Sequence, residues 1–381
     1  MTAHAGTEAP ERLLFASTAR AFLEKETPLS RVRELHAAGT AFERQWWRRA
    51  AELGWASLLV PEELGGGSVS GNGVEDLAAI AELAGKSVAP GPLHPVSVVL
   101  AGLCEAPDGH EATIEALMSG DAVASWAVYE PGRQWAPLSP TVTATRTARG
   151  FRIDGVKDRV EAGGDSDLLL VVVAGDDGTR QFLVPTDAAG VHVQPQRSVD
   201  LVKTYARVTF DGVEVDASAA VGTSAQTPAL IERQSHIGLV LQCSEVVGIL
   251  DTVVDLTVQW AFDRHSFGRP LASYQALKHR FADLKIWLEA CRATTHAAVA
   301  EVANRSPAAD MAVSVAKSYV AERAPVMLQD CTQLHGGIGV TWEHDLHLFL
   351  RRVTLYRSML GTPEDHNVRV YALTKEMGCA S

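Results

Sequence analysis

Three helix-period patterns in the second half of the chain limit its fold more than any other feature. Apolar residues recur at three- and four-residue spacing over residues 228–262, 275–303 and 308–333. Each run is about twice the length of an average helix or more. Helices this long hide their apolar faces only against others like them, which predicts a bundle. Ser306-Pro307 marks the start of the third.

The middle of the chain has another period. Thr141 to Thr145 alternates and is followed by Phe151-Arg152-Ile153-Asp154-Gly155, which reads as a hairpin. Leu168 to Val173 and Gln181 to Val184 are apolar, β-branched-rich runs around Asp176-Asp177-Gly178, and Val191 to Val193 and Ala206 to Phe210 continue the pattern. Residues 1–122 return to helical spacing over Arg12 to Lys25, Ala41 to Leu53 and Val74 to Gly85, with turn signals at residues 61–73 and 90–95. The division expected is an N-terminal helical domain over 1–122, a middle β domain over 123–222 and a C-terminal helix-bundle domain over 223–381. No βαβ alternation and no GxGxxG after a strand are present, which argues against a Rossmann fold. Gly65-Gly66-Gly67 follows no strand and lacks a Lys-Ser/Thr, so it reads as a flexible connector and not a phosphate loop.

A net charge of −12 opposes a nucleic-acid surface as the main function. No continuous apolar run approaches the ~20 residues of a membrane span, and the N-terminus lacks a signal-peptide pattern. The first eight residues read as a frayed tail on a cytoplasmic protein. Five scattered cysteines without a CxxC pair suit free thiols in a reducing compartment and no metal site. Cys243, Cys291 and Cys331 read as small core residues.

Between the first two long patterns lies Arg264-His265-Ser266-Phe267-Gly268-Arg269-Pro270-Leu271, then Ser273-Tyr274-Gln275. A guanidinium fork, a glycine and the start of a helix suit an anion such as a pyrophosphate. A second glycine-rich stretch, Gln333-Leu334-His335-Gly336-Gly337-Ile338-Gly339, follows the third helical pattern. A helix C-cap accounts for one of these glycines; the others leave backbone amides free to close on a ligand.

These motifs, with Glu52-Leu53-Gly54-Trp55, Val60-Pro61-Glu62-Glu63-Leu64-Gly65-Gly66, Tyr129-Glu130-Pro131, Gly155-Val156-Lys157 and Thr341-Trp342-Glu343, resemble the acyl-CoA dehydrogenase family in order and spacing. The resemblance implies an α+β fold: a helical domain, an antiparallel β-barrel domain and a four-helix bundle, assembled as a tetramer. It implies FAD between the β domain and the bundle, with the adenosine-pyrophosphate end reaching a neighbouring subunit. The positions it implies for dinucleotide contact are Arg264, Phe267, Gln275, Gln333, Gly336, Gly337, Gly339 and Thr362. It further implies an acyl-CoA or related thioester substrate and a place in lipid metabolism. The electron acceptor, an electron-transfer flavoprotein in most relatives and oxygen in others, stays open.

The chain departs from that pattern where the chemistry lies. The glutamate that removes the α-proton in most members falls on Leu360, and the alternative position on the first bundle helix falls on Gly238. The catalytic base is therefore unassigned. Glu245 reads as a buried or interfacial structural carboxylate, and Glu364 and Asp365 as surface or capping groups. Arg159 and Glu161 stand where an aromatic and a threonine would meet the flavin. His344, His347 and Arg351 lack metal-site spacing and read as interface packing. This combination resembles one subunit type of actinobacterial heterotetrameric acyl-CoA dehydrogenases acting on bulky thioesters. Three readings follow: a dehydrogenase or a subunit of a heteromeric one; a non-catalytic assembly subunit completing a partner's FAD site; or a same-fold flavoprotein acting on carrier-bound or non-thioester substrates in secondary metabolism. Gly238, Ser235 and Ala84 hint at room for a large acyl group.

Overall fold

The computed structural model describes residues 10–379, apart from the side chains of 10, 377 and 379; the first eight residues, read as a tail, lie outside it. Six helices come first: α1 (Pro10–Glu26), α2 (Leu29–Ala37), α3 (Arg44–Glu52), α4 (Gly73–Lys86), α5 (Leu93–Leu103) and α6 (Glu111–Met118). Seven strands follow: β1 (Ala124–Ala127), β2 (Thr143–Arg146), β3 (Gly150–Glu161), β4 (Leu168–Gly175), β5 (Gly178–Pro185), β6 (Val191–Gln196) and β7 (Tyr205–Asp216). Helices α7 (Thr227–Asp263), α8 (Gln275–Ala303), α9 (Ala309–His335), α10 (Leu346–Ser358) and α11 (Pro363–Cys379) complete the described chain. Two short strands, β8 (His265–Ser266) and β9 (Arg269–Pro270), pair in the α7–α8 turn.

The helices and the sheet have separate cores. Trp47, Leu77, Ile80, Leu100, Leu241, Ile249, Leu288, Met327 and Phe349 belong to one apolar cluster that runs through both helical regions. Phe151, Ile153, Val171, Phe182, Val208 and Phe210 form another inside the curled sheet. The sheet is largely antiparallel, but β1 and β2 each pair parallel to β4, in the order β1-β4-β2-β3-β7-β6 with β5 on β4. A hairpin count cannot reveal such pairings, because they depend on the return path of the chain.

Helix α5 occupies part of the stretch that reads as turn in sequence. Every one of its residues is buried, so it carries no amphipathic stripe. At 37 residues and 1.5 Å per residue, α7 spans about 55 Å. It is long and apolar enough to cross a membrane by length and composition, yet 89% of its most apolar window is buried inside the fold.

Helices α4 and α7 cross almost backbone to backbone. A Cβ on Gly85 would lie 2.0 Å from the Glu245 carbonyl oxygen, and one on Gly248 would lie 1.9 Å from that of Glu82. Gly85 and Gly248 thus serve the close approach of the two helices. The Gly65–Gly67 triplet is likewise no loose connector. Its three amides bond to the carbonyls of Glu62, Pro61 and Ser57, and a Cβ on Gly66 would meet Val60 O at 2.2 Å.

Candidate functional site

The α7–α8 turn is built stiffly and presents its tip to solvent. Arg264 ends α7 in extended conformation, its N–H bonded to Trp260 O at 2.8 Å, and its carbonyl accepts from Leu271 N at 2.9 Å. Tyr274 Oη donates to Ser266 O at 2.7 Å, and the Arg269 guanidinium lies 3.9 Å above the Tyr274 ring. Between these braces Phe267 and Gly268 turn at φ +50° and +79°. The Phe267 side chain is 97% exposed, a conformation and an exposure that nothing else in the monomer explains. Gln275 opens α8 and is exposed.

The glycine-rich loop meets this turn through a ring stack. Trp260, four residues before Arg264, stacks on His335 at 5.3 Å, and His335 ends α9. Gln333 is exposed in the last turn of α9. Gly336 caps the helix at φ +67°, so its glycine is required by geometry. Gly337 is different: it has no positive φ, and a Cβ there would meet nothing within 4 Å. Gly339 is a packing glycine, 2.7 Å from Thr332 O at the Cβ position. Ile338, Val340 and Trp342 are exposed beside them. Arg264, Phe267 and Gln275 therefore share one end of the bundle with Gln333, Gly336 and Gly337. Thr362 has no described contact with that group. It caps α11, exchanging bonds with Asp365: Thr362 N donates to Oδ2 at 2.9 Å, and Asp365 N donates to Thr362 Oγ1 at 3.2 Å.

A cleft between the first helices, the sheet and α7 holds both positions read as lost bases. Its wall includes His94, Val98, Trp126, Tyr129, Arg159, Glu161, Gly238, Gln242, Met359 and Leu360. A Cβ on Gly238 would lie 2.6 Å from Leu360 Cδ1, so the leucine fills the space in front of the glycine. Leu360 sits at φ +57°, held by its N–H to Tyr129 Oη and by its carbonyl, which accepts from His366 Nε2 at 2.8 Å. The remaining room for water is about 50 Å³, well under the roughly 300 Å³ at the lower end of ligand pockets.

Arg159 closes the sheet side of this cleft. It lies in an irregularity of the β3–β7 ladder at φ +49°, with its guanidinium 4.4 Å above the Tyr129 ring. Its Nη2 donates to the carbonyls of Arg133 at 3.0 Å and Glu130 at 3.3 Å. Glu161 is held by Lys203 at 2.9 Å. Beneath them Lys157 and Glu130 form a buried pair at 2.8 Å. Burial would raise the Glu130 carboxyl, but bonds from Lys157, Thr141 and the Val142 amide carry it down to about 2. Burial takes Lys157 down to about 8 despite that partner.

At the floor, Arg352 is fully buried and ties three regions together. It donates to Asp200 from the β6–β7 loop and to Glu245 of α7. Glu245 also accepts from Tyr356 Oη at 2.8 Å and lies 2.9 Å from His94 Nε2. Burial opposes ionisation of Glu245, yet Arg352 and His94 hold its carboxyl far below the usual range. Glu245 is therefore structural, as its apolar helix suggests. Sequence reasoning missed its partners: Arg352 lies 107 residues away, and no local pattern links the two.

His344, His347 and Arg351 pack within the chain. His347 stacks on Trp342 at 4.6 Å, and Arg351 Nε donates to His347 Nδ1 at 3.3 Å. Among the described residues no group of three or more potential ligands could hold a metal ion. Cys243, Cys291 and Cys331 are buried free thiols. A second cavity, with about 340 Å³ for water, lies between Trp135–Ser139, α7, α9 and α11.

Two family models match the chain: the acyl-CoA dehydrogenase N-terminal domain over residues 9–107 and the C-terminal domain over 231–370. Acyl-CoA dehydrogenase IpdE2 of Mycolicibacterium smegmatis is 29% identical over 95% of this chain and 98% of its own length. Acyl-CoA dehydrogenase FadE27 of Mycobacterium tuberculosis is 28% identical over 83% and 84%. Among solved structures, the ChsE4–ChsE5 complex from Mycobacterium tuberculosis superposes with a TM-score of 0.87 at 25% identity, over 97% of this chain and 98% of that one. A variant of the Tcur3481–Tcur3483 steroid acyl-CoA dehydrogenase gives 0.86 at 26%, over 97% and 99%.

Proposed function

The chain belongs to the acyl-CoA dehydrogenase family, and from that premise we propose that it is one subunit of a heteromeric, FAD-dependent acyl-CoA dehydrogenase. Members of the family are FAD flavoproteins that oxidise a CH–CH bond of an acyl-CoA. Bound FAD supplies the hydride acceptor; the protein must position the thioester and take up the α-proton.

The fit of this chain to FAD differs between its two sites. The exposed clasp suits the dinucleotide. Arg264 offers a guanidinium, Gln275 and Gln333 offer amides, and Gly337 leaves backbone that a diphosphate can approach. The chain's own cleft does not suit the isoalloxazine. Arg159 lies over Tyr129, the free space is about 50 Å³, and neither Leu360 nor Gly238 can take a proton. Glu161 is engaged by Lys203, and His94 lies between Glu245 and Tyr356. No catalytic step is assigned to that cleft.

The observation that carries the proposal is Gly337: a Cβ there would meet nothing within 4 Å, no positive φ requires a glycine, and the Trp260–His335 stack joins its loop to the Arg264 turn. In the assembled enzyme the clasp would hold the adenosine-pyrophosphate end of FAD across the subunit seam, with Phe267 covering it and the partner providing base and ring pocket. Thr362, with its hydroxyl committed to a helix cap, would contribute through its backbone alone. Names of relatives that pair two chains support a heterotetramer with a related subunit, and the steroid enzyme among them supports a bulky acyl-CoA. We place the segments at 1–122, 123–222 and 223–381, and the enzyme in the cytoplasm in lipid metabolism. An electron-transfer flavoprotein is the acceptor that fits this family best.

Native mass spectrometry with flavin quantification tests the proposal. The expected result is no FAD on the isolated chain and one FAD per pair of unlike chains after co-expression with the related subunit. One FAD per chain in an isolated homomer would refute it.

A further inference from the structure

A third cavity, between α1, α4, α7 and α8, holds more carboxylate than cation. It has about 310 Å³ for water and shares no lining residue with the closed cleft. Helix α4 supplies Glu75, Asp76 and Glu82, α1 supplies Arg12, and His296 of α8 stands at the exposed rim. Arg12 Nη1 donates to Glu75 Oε2 at 3.2 Å, and its Nε lies 3.9 Å from Asp76 Oδ1, beyond hydrogen-bond length. Glu82 pairs loosely with His296 Nε2 at 3.9 Å, and the nearby Arg292 is bound to Asp251 and Glu289. With His296 neutral, three carboxylates face one guanidinium. The decisive atom is Asp76 Oδ1. The Asp76 side chain is fully buried, and its Oδ2 accepts from the Val69 and Ser70 amides at 2.7 and 2.9 Å, which fixes the carboxylate in place. Oδ1, on the Arg12 side, is buried with no hydrogen-bond partner among the described residues, and both residues line the cavity.

We propose that this cavity binds a linear aliphatic diamine, one ammonium on Asp76 and Glu75 and the other on Glu82. Four features set that chemistry. A buried carboxylate oxygen without a partner is costly, and a charged N–H donor from a ligand removes the cost. A metal ion does not match, because among the described residues no group of three or more potential ligands could hold one. The acids are spaced along one helix: Asp76 and Glu82 stand six residues apart, an axial rise of about 9 Å. The roughly seven staggered bonds of a six-carbon diamine, each about 1.5 Å long, span that distance. Between the two ends the wall is mostly apolar, with Ala78 and Ala79 of α4 faced by Phe15 and Ala16 of α1 and Val299 of α8, and it suits methylenes. Two ammonium groups also balance the two carboxylates in excess. The inference does not depend on which subunit holds FAD, because the cavity lies within this chain and is separate from the exposed clasp and from the closed cleft.

The probe is 1,6-diaminohexane, with hexylamine and 1,6-hexanediol for comparison, each titrated calorimetrically into the full chain at low salt and followed by Tm. The diamine should bind about 3- to 10-fold more tightly than hexylamine, and the diol should not raise Tm. Asp76→Asn keeps one oxygen for the Val69 and Ser70 amides and turns an NH2 group to the cavity. It should weaken the diamine roughly 10- to 150-fold, the range of one hydrogen bond to a charged group. Glu82→Gln alters a half-buried side chain with no backbone group to hold, so it reads the site even where Asp76→Asn does not fold. It should bring the diamine down to the affinity of hexylamine. No binding of the diamine, equal affinity for diamine and hexylamine in wild type, or full diamine affinity in either folded variant would each overturn the proposal. The proposal on FAD is tested separately by flavin content, which Glu82→Gln should leave unchanged.

Discussion

Replacing Arg352 by methionine should invert the pH dependence of stability. In the wild type, Arg352 bonds Asp200 and Glu245 in a fully buried site, and both carboxyls are held below their usual range: burial raises each, but the guanidinium outweighs it. A depressed carboxyl contributes stability above its unfolded pKa of about 4 and loses it as pH falls through the lower folded value. Methionine fills much the same volume without charge. Two carboxylates then face the vacated space, and mutual repulsion with burial forces a proton onto one of them. At pH 7 that proton costs up to about 3.5 kcal/mol, close to the roughly 3–5 kcal/mol for breaking a buried ion pair. At about 2 °C per kcal/mol for a chain of this size, Tm should drop by roughly 6–10 °C. The raised carboxyl reverses the sign: its penalty is absent below pH 4 and grows as pH rises towards its folded pKa. Between pH 7 and 5 the variant should therefore gain Tm while the wild type does not. Thermal melts across that range measure it. A loss under about 1 kcal/mol, or parallel pH profiles, would refute the assigned network.

Three further outcomes follow from the geometry. Gly248→Ala should prevent folding or cost more than about 3 kcal/mol, because its Cβ meets backbone at 1.9 Å and not a movable side chain; chemical denaturation reads this. Gly337→Ala should leave the stability of the isolated chain within about 0.5 kcal/mol of wild type, yet lower FAD retention in the co-expressed assembly at least about tenfold, as flavin release after gel filtration would report. Stability should peak near pH 9. Burial holds Lys157 and Lys317 at about 8, so from pH 8 upward the unfolded chain binds protons the folded one lacks, and stability rises. Burial raises the thiols of Cys243 and Cys331 to about 11 and of Cys104 and Cys291 to about 12, so above pH 9 only the unfolded chain releases those protons and stability falls. Melts from pH 7.5 to 10.5 should show the turnover.

The long helices and the strand run were legible because their signals are local: 3.6-residue spacing in α7, α8 and α9, and Asx-Gly turns between β4 and β5. Helix α5 escaped because a helix buried on all sides has no stripe. The parallel β1–β4 and β2–β4 pairs escaped because register between distant strands leaves no trace in either one. At the cleft, the sequence shows that Leu360 and Gly238 carry no proton acceptor, but not that the Leu360 side chain fills the space a Cβ on Gly238 would need. The Gly65–Gly67 triplet misled for a physical reason. A glycine looks the same in sequence whether it bends, frees or admits another backbone, and only the neighbour decides.

The exposed tip of the clasp bears on the order of assembly. Phe267 and Val340 are 97% and 77% exposed, with Trp342 and Ile338 beside them. Burying one such side chain contributes about 1.5–3 kcal/mol, so even two well-seated ones supply hot-spot energy. These residues flank the same loops that would meet the diphosphate. A partner that covers them removes water from around Arg264 and the Gly337 amide, and a charge-assisted bond strengthens as the local dielectric falls. Dinucleotide affinity and subunit affinity are then one coupled quantity, and each raises the other by the same factor. Under the proposed assembly, a chain with a closed cleft and an open clasp would gain its cofactor by gaining its partner, so flavin content and oligomeric state should change together in every variant of this loop pair.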